Sequence, residues 1–212
     1  MMGDFSLSQK IILWVVPLLF AITVHETAHG WVASKCGDPT AKLLGRLTLN
    51  PLKHIDPIGT IIVPAILFSL GGFIFGWAKP VPITWQNLKN PRRDMALVAA
   101  AGPMANLAMA LFWVAIAKAA IAFNNAPFIY MAETGVMINL MLMLLNLIPI
   151  PPLDGSRVLA SFLSPSMAYY FNKLEVYGFL ILVLLLASGI LGKILGPVLE
   201  GLFSVFFRFF GL

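Results

Sequence analysis

Long apolar stretches alternate with short polar breaks along this chain. The first apolar run, residues 11–24, sits in a helix predicted over residues 7–34. A polar loop follows, carrying Gly37, Asp38, Pro39, Pro51 and Pro57 together with Lys35, Lys42, Arg46 and Lys53. Residues 58–70 are apolar again. After Gly71-Gly72 the period changes. Phe73, Phe75 and Trp77 recur at every second position, as do Val81, Ile83 and Trp85 beyond the Lys79-Pro80 break. Period two on both sides of a break predicts a hairpin or extended ribbon. Pro91-Arg92-Arg93-Asp94 opens a helix over residues 95–123, and Asn124-Asn125-Ala126-Pro127 is an uncharged turn. Residues 131–148 make a further span, stopped by Pro149-Ile150-Pro151-Pro152. Leu153-Asp154-Gly155 leads into a short helix that ends near Ser164-Pro165. Residues 176–190 span once more, and residues 191–212 form a last imperfect span or an interfacial helix.

Composition turns this pattern into a class. Of 212 residues, 59% are hydrophobic and 11% charged, against about 25% charged in soluble domains. Mean hydropathy is +0.90. Runs this long and apolar predict an all-α polytopic integral membrane protein. The expectation is about five to six transmembrane helices. A membrane-embedded β-hairpin or re-entrant segment would lie between the first helix and the helix over 95–123. One membrane-embedded domain is expected over 1–212, with a core of about 7–165 and C-terminal helices over about 172–212. No loop has room for a separate peptide-binding module. The net charge of +5 is unevenly placed and reads as membrane topology rather than nucleic-acid binding. The lone Cys36 excludes an internal disulfide. Lys10 ahead of the first apolar run has the outline of a signal peptide, but no small-x-small cleavage site follows it.

The chemistry begins in that first helix, at His25-Glu26-Thr27-Ala28-His29. Positions i and i+4 share one helix face, so two imidazoles so placed can grip one zinc ion. Glu26, beside the first, is then a general base for the zinc-activated water. Unpaired polar side chains in an apolar helix cost up to several kcal/mol each, which favours the metal reading. A catalytic zinc needs a third protein ligand. His54 and Asp56 lie in a charged loop, where solvation or helix capping accounts for them. Asp154 directly follows an apolar helix, between a proline pair and a glycine. A carboxylate at such a depth is a functional candidate, and Asp154 is chosen. Asn106 and Asn146 are polar residues in apolar spans. They are candidates for interhelical bonding or, for Asn146, for oxyanion support.

These motifs resemble the site-2 protease family of intramembrane zinc metalloproteases. The resemblance rests on His25-Glu26-Thr27-Ala28-His29, on Ala101-Gly102-Pro103-Met104-Ala105-Asn106, and on Asn146-Leu147-Ile148-Pro149-Ile150-Pro151-Pro152-Leu153-Asp154-Gly155. Asn50-Pro51-Leu52-Lys53-His54-Ile55-Asp56-Pro57 and Gly76-Trp77-Ala78-Lys79-Pro80-Val81-Pro82 look like the family's compact bacterial branch without a PDZ domain. The resemblance implies one Zn2+ per chain, with His25, His29 and Asp154 as ligands and Glu26 as base. It implies peptide-bond hydrolysis in or near the transmembrane segments of single-span membrane-protein substrates. Rival readings are a metal-binding membrane transporter and a catalytically silent membrane-protein binder.

A shared metal constrains topology. His29 is near the end of the first helix and Asp154 just past the end of the 131–148 helix, so both helices finish on one side. The helix over 95–123 runs the opposite way and must begin on that side. A simple span at residues 58–70 would break the parity, so that segment must return, with 73–85 as its path. Lys35, Lys42, Arg46, Lys53, Lys79, Lys89, Arg92 and Arg93 then share one face, which the positive-inside rule makes cytoplasmic. This predicts a plasma (inner) membrane protein with its active site toward the cytoplasm. Phe75, Trp77, Val81 and Ile83 are expected as a ribbon whose edge holds unwound substrate by β-addition.

Overall fold

The computed structural model describes residues 5–71 and 76–211. It is built from α1 (Leu7–Lys35), α2 (Thr40–Leu43), α3 (Val63–Gly71), α4 (Pro91–Ala122), α5 (Ala126–Leu147), α6 (Asp154–Phe162), α7 (Pro165–Lys173), α8 (Glu175–Ala187) and α9 (Ile190–Phe209). Ser6 and Gln9 close a reciprocal capping box that starts α1, satisfying backbone donors that a helix start leaves open. Asn125 caps α5 by accepting from Phe128 N.

Among the described residues, four helices are long and apolar enough to cross a membrane: α1, α4, α5 and α9. Together α7 and α8 make a fifth if they are taken as one span, bent by 56°. The expected five to six spans therefore become four to five. Residues 58–70 turn back as the parity argument requires, and the segment expected to span at 176–190 is the 13-residue α8, which reaches span length only when counted with α7. The tail, by contrast, includes a full-length apolar helix.

The core is a three-helix packing of α1, α4 and α5. Ala110, Trp113, Val114 and Ala117 of α4 meet Ala132, Val136, Leu140 and Met143 of α5, and all eight are buried. In lipid there is little hydrophobic force between helices. Small residues that permit close approach therefore do the packing, helped by a few polar bonds. Helix α9 closes over this cluster with Leu199, Leu202, Phe203 and Phe206.

Two contacts fix the relative direction of α1 and α5. Trp14 Nε1 donates to the Tyr130 hydroxyl at 2.9 Å near the starts of both helices. His25 and His29 meet Asp154 beyond their other ends. The two helices run parallel and α4 runs against them, as the parity argument requires.

Between α1 and α4 the chain turns back on itself. A six-residue π-helical stretch, Pro57–Ile62, leads into the nine residues of α3. At about 1.5 Å per residue this is too short for a hydrocarbon core of about 30 Å. The chain then returns beside its own start. Trp77 N donates to Gly59 O at 3.1 Å, and Thr60 Oγ1 donates to Trp77 O at 3.0 Å. Phe73 and Phe75 lie outside the described residues.

The returning segment, residues 76–84, is an irregular extended strap. Among the described residues there is no β-strand, so the expected β-hairpin is replaced by a helix and a strap. The physical reason is local. Pro80 and Pro82 have no N–H to give a ladder. The amides of Trp77, Lys79 and Val81 are each already taken, by Gly59 O, His54 O and Glu26 Oε2.

Candidate metal centre

His25 and His29 project from the same face of α1 and are both buried. Each ring is oriented by its Nδ1 atom. Asn106 Oδ1 accepts from His25 Nδ1 at 2.6 Å, and Val98 O accepts from His29 Nδ1 at 2.7 Å. The Asn106 amide orientation follows from its other bonds, since its Nδ2 donates to Ala21 O and to Asn139 Oδ1. Asn139 is held in turn by donating to Gly135 O. Pro103 lacks the N–H that would bond Ala99 O, and its ring pushes on that carbonyl. One residue earlier, Val98 O takes the bond from His29.

With Nδ1 protonated on both rings, each Nε2 offers a lone pair. The two Nε2 atoms lie 3.0 Å apart. Asp154 Oδ2 lies 3.2 Å from one and 3.3 Å from the other. It is buried yet accepts no aligned hydrogen bond. Three acceptors converging without protons between them repel unless a cation sits among them. Their separations approach the edge of a tetrahedron with bonds of about 2.0–2.1 Å, which is about 3.3 Å. Gly102 of α4 faces the same space. A Cβ there would collide with His29 Nε2 and the His25 ring. The donor set, the orphaned oxygen and the cleared space all fit a bound zinc ion.

Asp154 reaches this point because of the turn between α5 and α6. It occupies the first turn of α6, where a carboxylate is favoured by the helix dipole. Gly155 packs so close to Leu147 and Ile148 carbonyls that any side chain would strike them. The Arg92 guanidinium donates to Ser161 O and Leu163 O, tying the end of α6 to the start of α4.

Glu26 is half-buried beside the histidines and accepts from Val81 N at 2.8 Å. The other expected positions divide. Asn106 bonds His25 directly. Asn146 donates to Leu142 O on its own helix, and its bonds do not reach the two histidines or Asp154. Trp77 stacks edge-on against Phe179 at 5.4 Å, and Ile83 packs with Ala33, Leu88 and Val98. His54 is buried rather than solvated, with Nε2 on Thr48 O. Asp56 caps the π-helical stretch through Ile58 N and Gly59 N.

Two polar residues important to this geometry are not singled out by sequence reasoning. Asn139 carried the same signal as Asn106, an amide within an apolar span. Asp38 read as an ordinary loop residue. It is fully buried and gathers Thr40 N, Thr40 Oγ1, Thr84 N and Asn87 Nδ2 on its carboxylate.

This arrangement of two helical histidines, a distant aspartate and an adjacent glutamate is that of a metallopeptidase, and the comparisons agree. The model of peptidase family M50 matches residues 13–122 and 113–187, and the chain belongs to that family, the site-2 proteases. It is 36% identical over 208 residues to "Putative zinc metalloprotease YwhC" of Bacillus subtilis (strain 168), covering 92% of each chain. Rip2 of Mycolicibacterium smegmatis carries the same description and is 32% identical over 189 residues, 86% of this chain and 69% of that protein. The "Regulator of sigma-E protease RseP" of Escherichia coli (strain K12) is 33% identical over 105 residues, 47% of this chain and 23% of that protein. No solved structure matches the chain significantly. The protein is an integral membrane zinc metalloprotease of this family.

Proposed function

We propose that the protein hydrolyses peptide bonds in or near the transmembrane segments of single-span membrane proteins. His25, His29 and Asp154 hold one zinc ion, and Glu26 serves as general base. The observation that carries this reading is the convergence of His25 Nε2, His29 Nε2 and Asp154 Oδ2 within 3.0–3.3 Å of one another.

Zinc bound there supplies a Lewis acid that polarises a carbonyl and acidifies a water. The chain's own groups do the rest. Asn106 and the Val98 carbonyl hold both rings with Nε2 turned inward, the kind of outer partner that fixes ligand orientation. Glu26 takes one proton from the attacking water, whose oxygen bonds to the scissile carbonyl carbon. When the C–N bond breaks, Glu26 passes that proton to the leaving amine. A substrate helix hides its carbonyls in its own hydrogen bonds, so it must unwind locally first. Trp77, 39% exposed at the strap, and Ile83 are candidate substrate contacts. Asn146 stays a candidate for oxyanion support.

The basic residues around the strap and the starts of α2 and α4 support, by the positive-inside rule, an orientation with this end toward the cytoplasm of a plasma (inner) membrane. The whole chain acts as one membrane-embedded domain. A transporter would need polar residues along a full path, whereas here the buried His25, His29 and Asn106 gather with Glu26 and Asp154 around one point. A silent binder has no use for Glu26. The test is cleavage of a single-span test protein by purified enzyme. Glu26→Gln and zinc chelation should each abolish it, and unchanged cleavage in Glu26→Gln would refute the mechanism.

A further inference from the structure

Among the described residues, the Glu26 carboxylate takes a single hydrogen bond, from Val81 N to Oε2 at 2.8 Å. On α1, Glu26 and Gly30 are one turn apart and share a face, Glu26 about 60° and Gly30 about 100° round from His29. Val81 lies against both. Its amide reaches Glu26. Its Cγ1 fills the space over Gly30, where a Cβ would stand only 2.8 Å away. Val81 is 6% exposed, so this is a packed contact.

The strap that presents Val81 is held on both sides. Lys79 N donates to His54 O at 2.9 Å, and Arg46 Nη2 donates to Lys79 O at 3.1 Å. Beyond Val81, Thr84 N donates to Asp38 Oδ2 at 2.7 Å. Pro80 and Pro82 fix their own φ angles, and Pro82 holds Val81 to extended backbone. Neither proline has an N–H, so Val81 has the single amide proton in this tripeptide.

We propose that the Val81 backbone amide is a positioning group for the general base. It fixes Oε2 of Glu26 and leaves Oε1 for the proton of the reacting water. This rests on Glu26 being the base, as argued under Proposed function. The simpler account is that a buried amide has merely found an acceptor. The two differ in what breaks when the N–H is removed. Loss of a satisfied amide lowers stability alone. Loss of a positioning bond lowers kcat while substrate and metal still bind.

The first arm of the test needs no cleavage. Amide exchange at Val81 is followed in metal-free protein, where the flanking prolines isolate its signal. Glu26→Ala should speed it by about tenfold or more, the effect of losing a protecting hydrogen bond. Unchanged exchange would overturn the proposal even if the proteolytic reading stands. The second arm replaces Val81 by its α-hydroxy acid, which keeps the side chain and converts the N–H to an ester oxygen. On a single-span test protein, kcat should fall about tenfold, a fraction of what a general base contributes. KM and zinc content should stay at wild-type values. An ester at Ala78, on the same strap but with an N–H that makes none of the bonds holding it, should leave kcat within about twofold. Loss through KM or zinc alone, or equal loss from both esters, would overturn the proposal.

Discussion

The two halves of the proposed active centre are built by different means. The histidine half lies inside the helix core. His25 and His29 are buried, and their outer nitrogens are held by Asn106 and Val98 O from α4, backed by Asn139 from α5. The glutamate half lies at the rim. Glu26 is half-buried and is held by one amide of an irregular strap, which loop residues His54, Arg46 and Asp38 hold in turn. Metal retention should therefore depend on α4 and α5. Proton transfer should depend on Glu26 and on the loops that present Val81 to it. Changes in one half should leave the other measurable.

The largest effect expected is on chemistry alone. Glu26→Gln should lower kcat by about 10²–10⁴, the usual contribution of a general base, with zinc content unchanged by metal analysis. Zinc loss in this variant would break the comparison. Gly102→Ala should act in the opposite sense, on the metal. Its methyl would occupy the space that His25 and His29 face, so zinc content of the purified protein should fall sharply while the helical circular dichroism persists. Asn106→Ala removes the acceptor of His25 Nδ1 and leaves the Asn139 oxygen without its donor. Zinc affinity should drop about 10–100-fold, as for other outer-shell partners. The same substitution should cost about 1–3 kcal/mol of stability for the stranded buried groups. Competition with a chromophoric chelator measures the affinity.

The smallest effect concerns the strap. Burial alone would raise the Asp38 carboxyl, but hydrogen bonds from Thr40, Asn87 and the Thr84 amide outweigh it and hold the group below the usual carboxylate range. A depressed folded pKa gives stability that is full above the unfolded value of about 3.9 and is lost as pH falls through the folded one. Asp38→Asn should therefore melt below wild type at neutral pH. The gap should narrow as both are acidified below about pH 4. A gap constant with pH would show that the Asp38 charge does not hold the strap.

Much of this division was legible in the residues. Helical spacing puts His25 and His29 on one face, and the apolar span ending just before Asp154 brings the third acceptor to the same depth. From there parity requires residues 58–70 to turn back, and the chain does return to Gly59. What could not be read was the form of the return. The two-residue period of 73–85 suggested a ribbon. A ladder needs free N–H groups on neighbouring strands, and the partners actually used, Gly59 O, His54 O and Glu26, are 18 to 55 residues away in sequence. Asp38 was opaque for the same reason, since its burial depends on Thr84 and Asn87. Asn139 was readable in principle, because an amide in an apolar span seeks a partner.

The central claim is that His25, His29 and Asp154 together bind one zinc ion. X-ray absorption at the zinc edge of purified protein tests it directly. The account predicts one zinc per chain with two imidazole nitrogens and oxygen ligands at about 2.0–2.2 Å, and loss of the bound zinc in Asp154→Ala. A spectrum without the two-imidazole signature, or zinc held at wild-type affinity in Asp154→Ala, would contradict it.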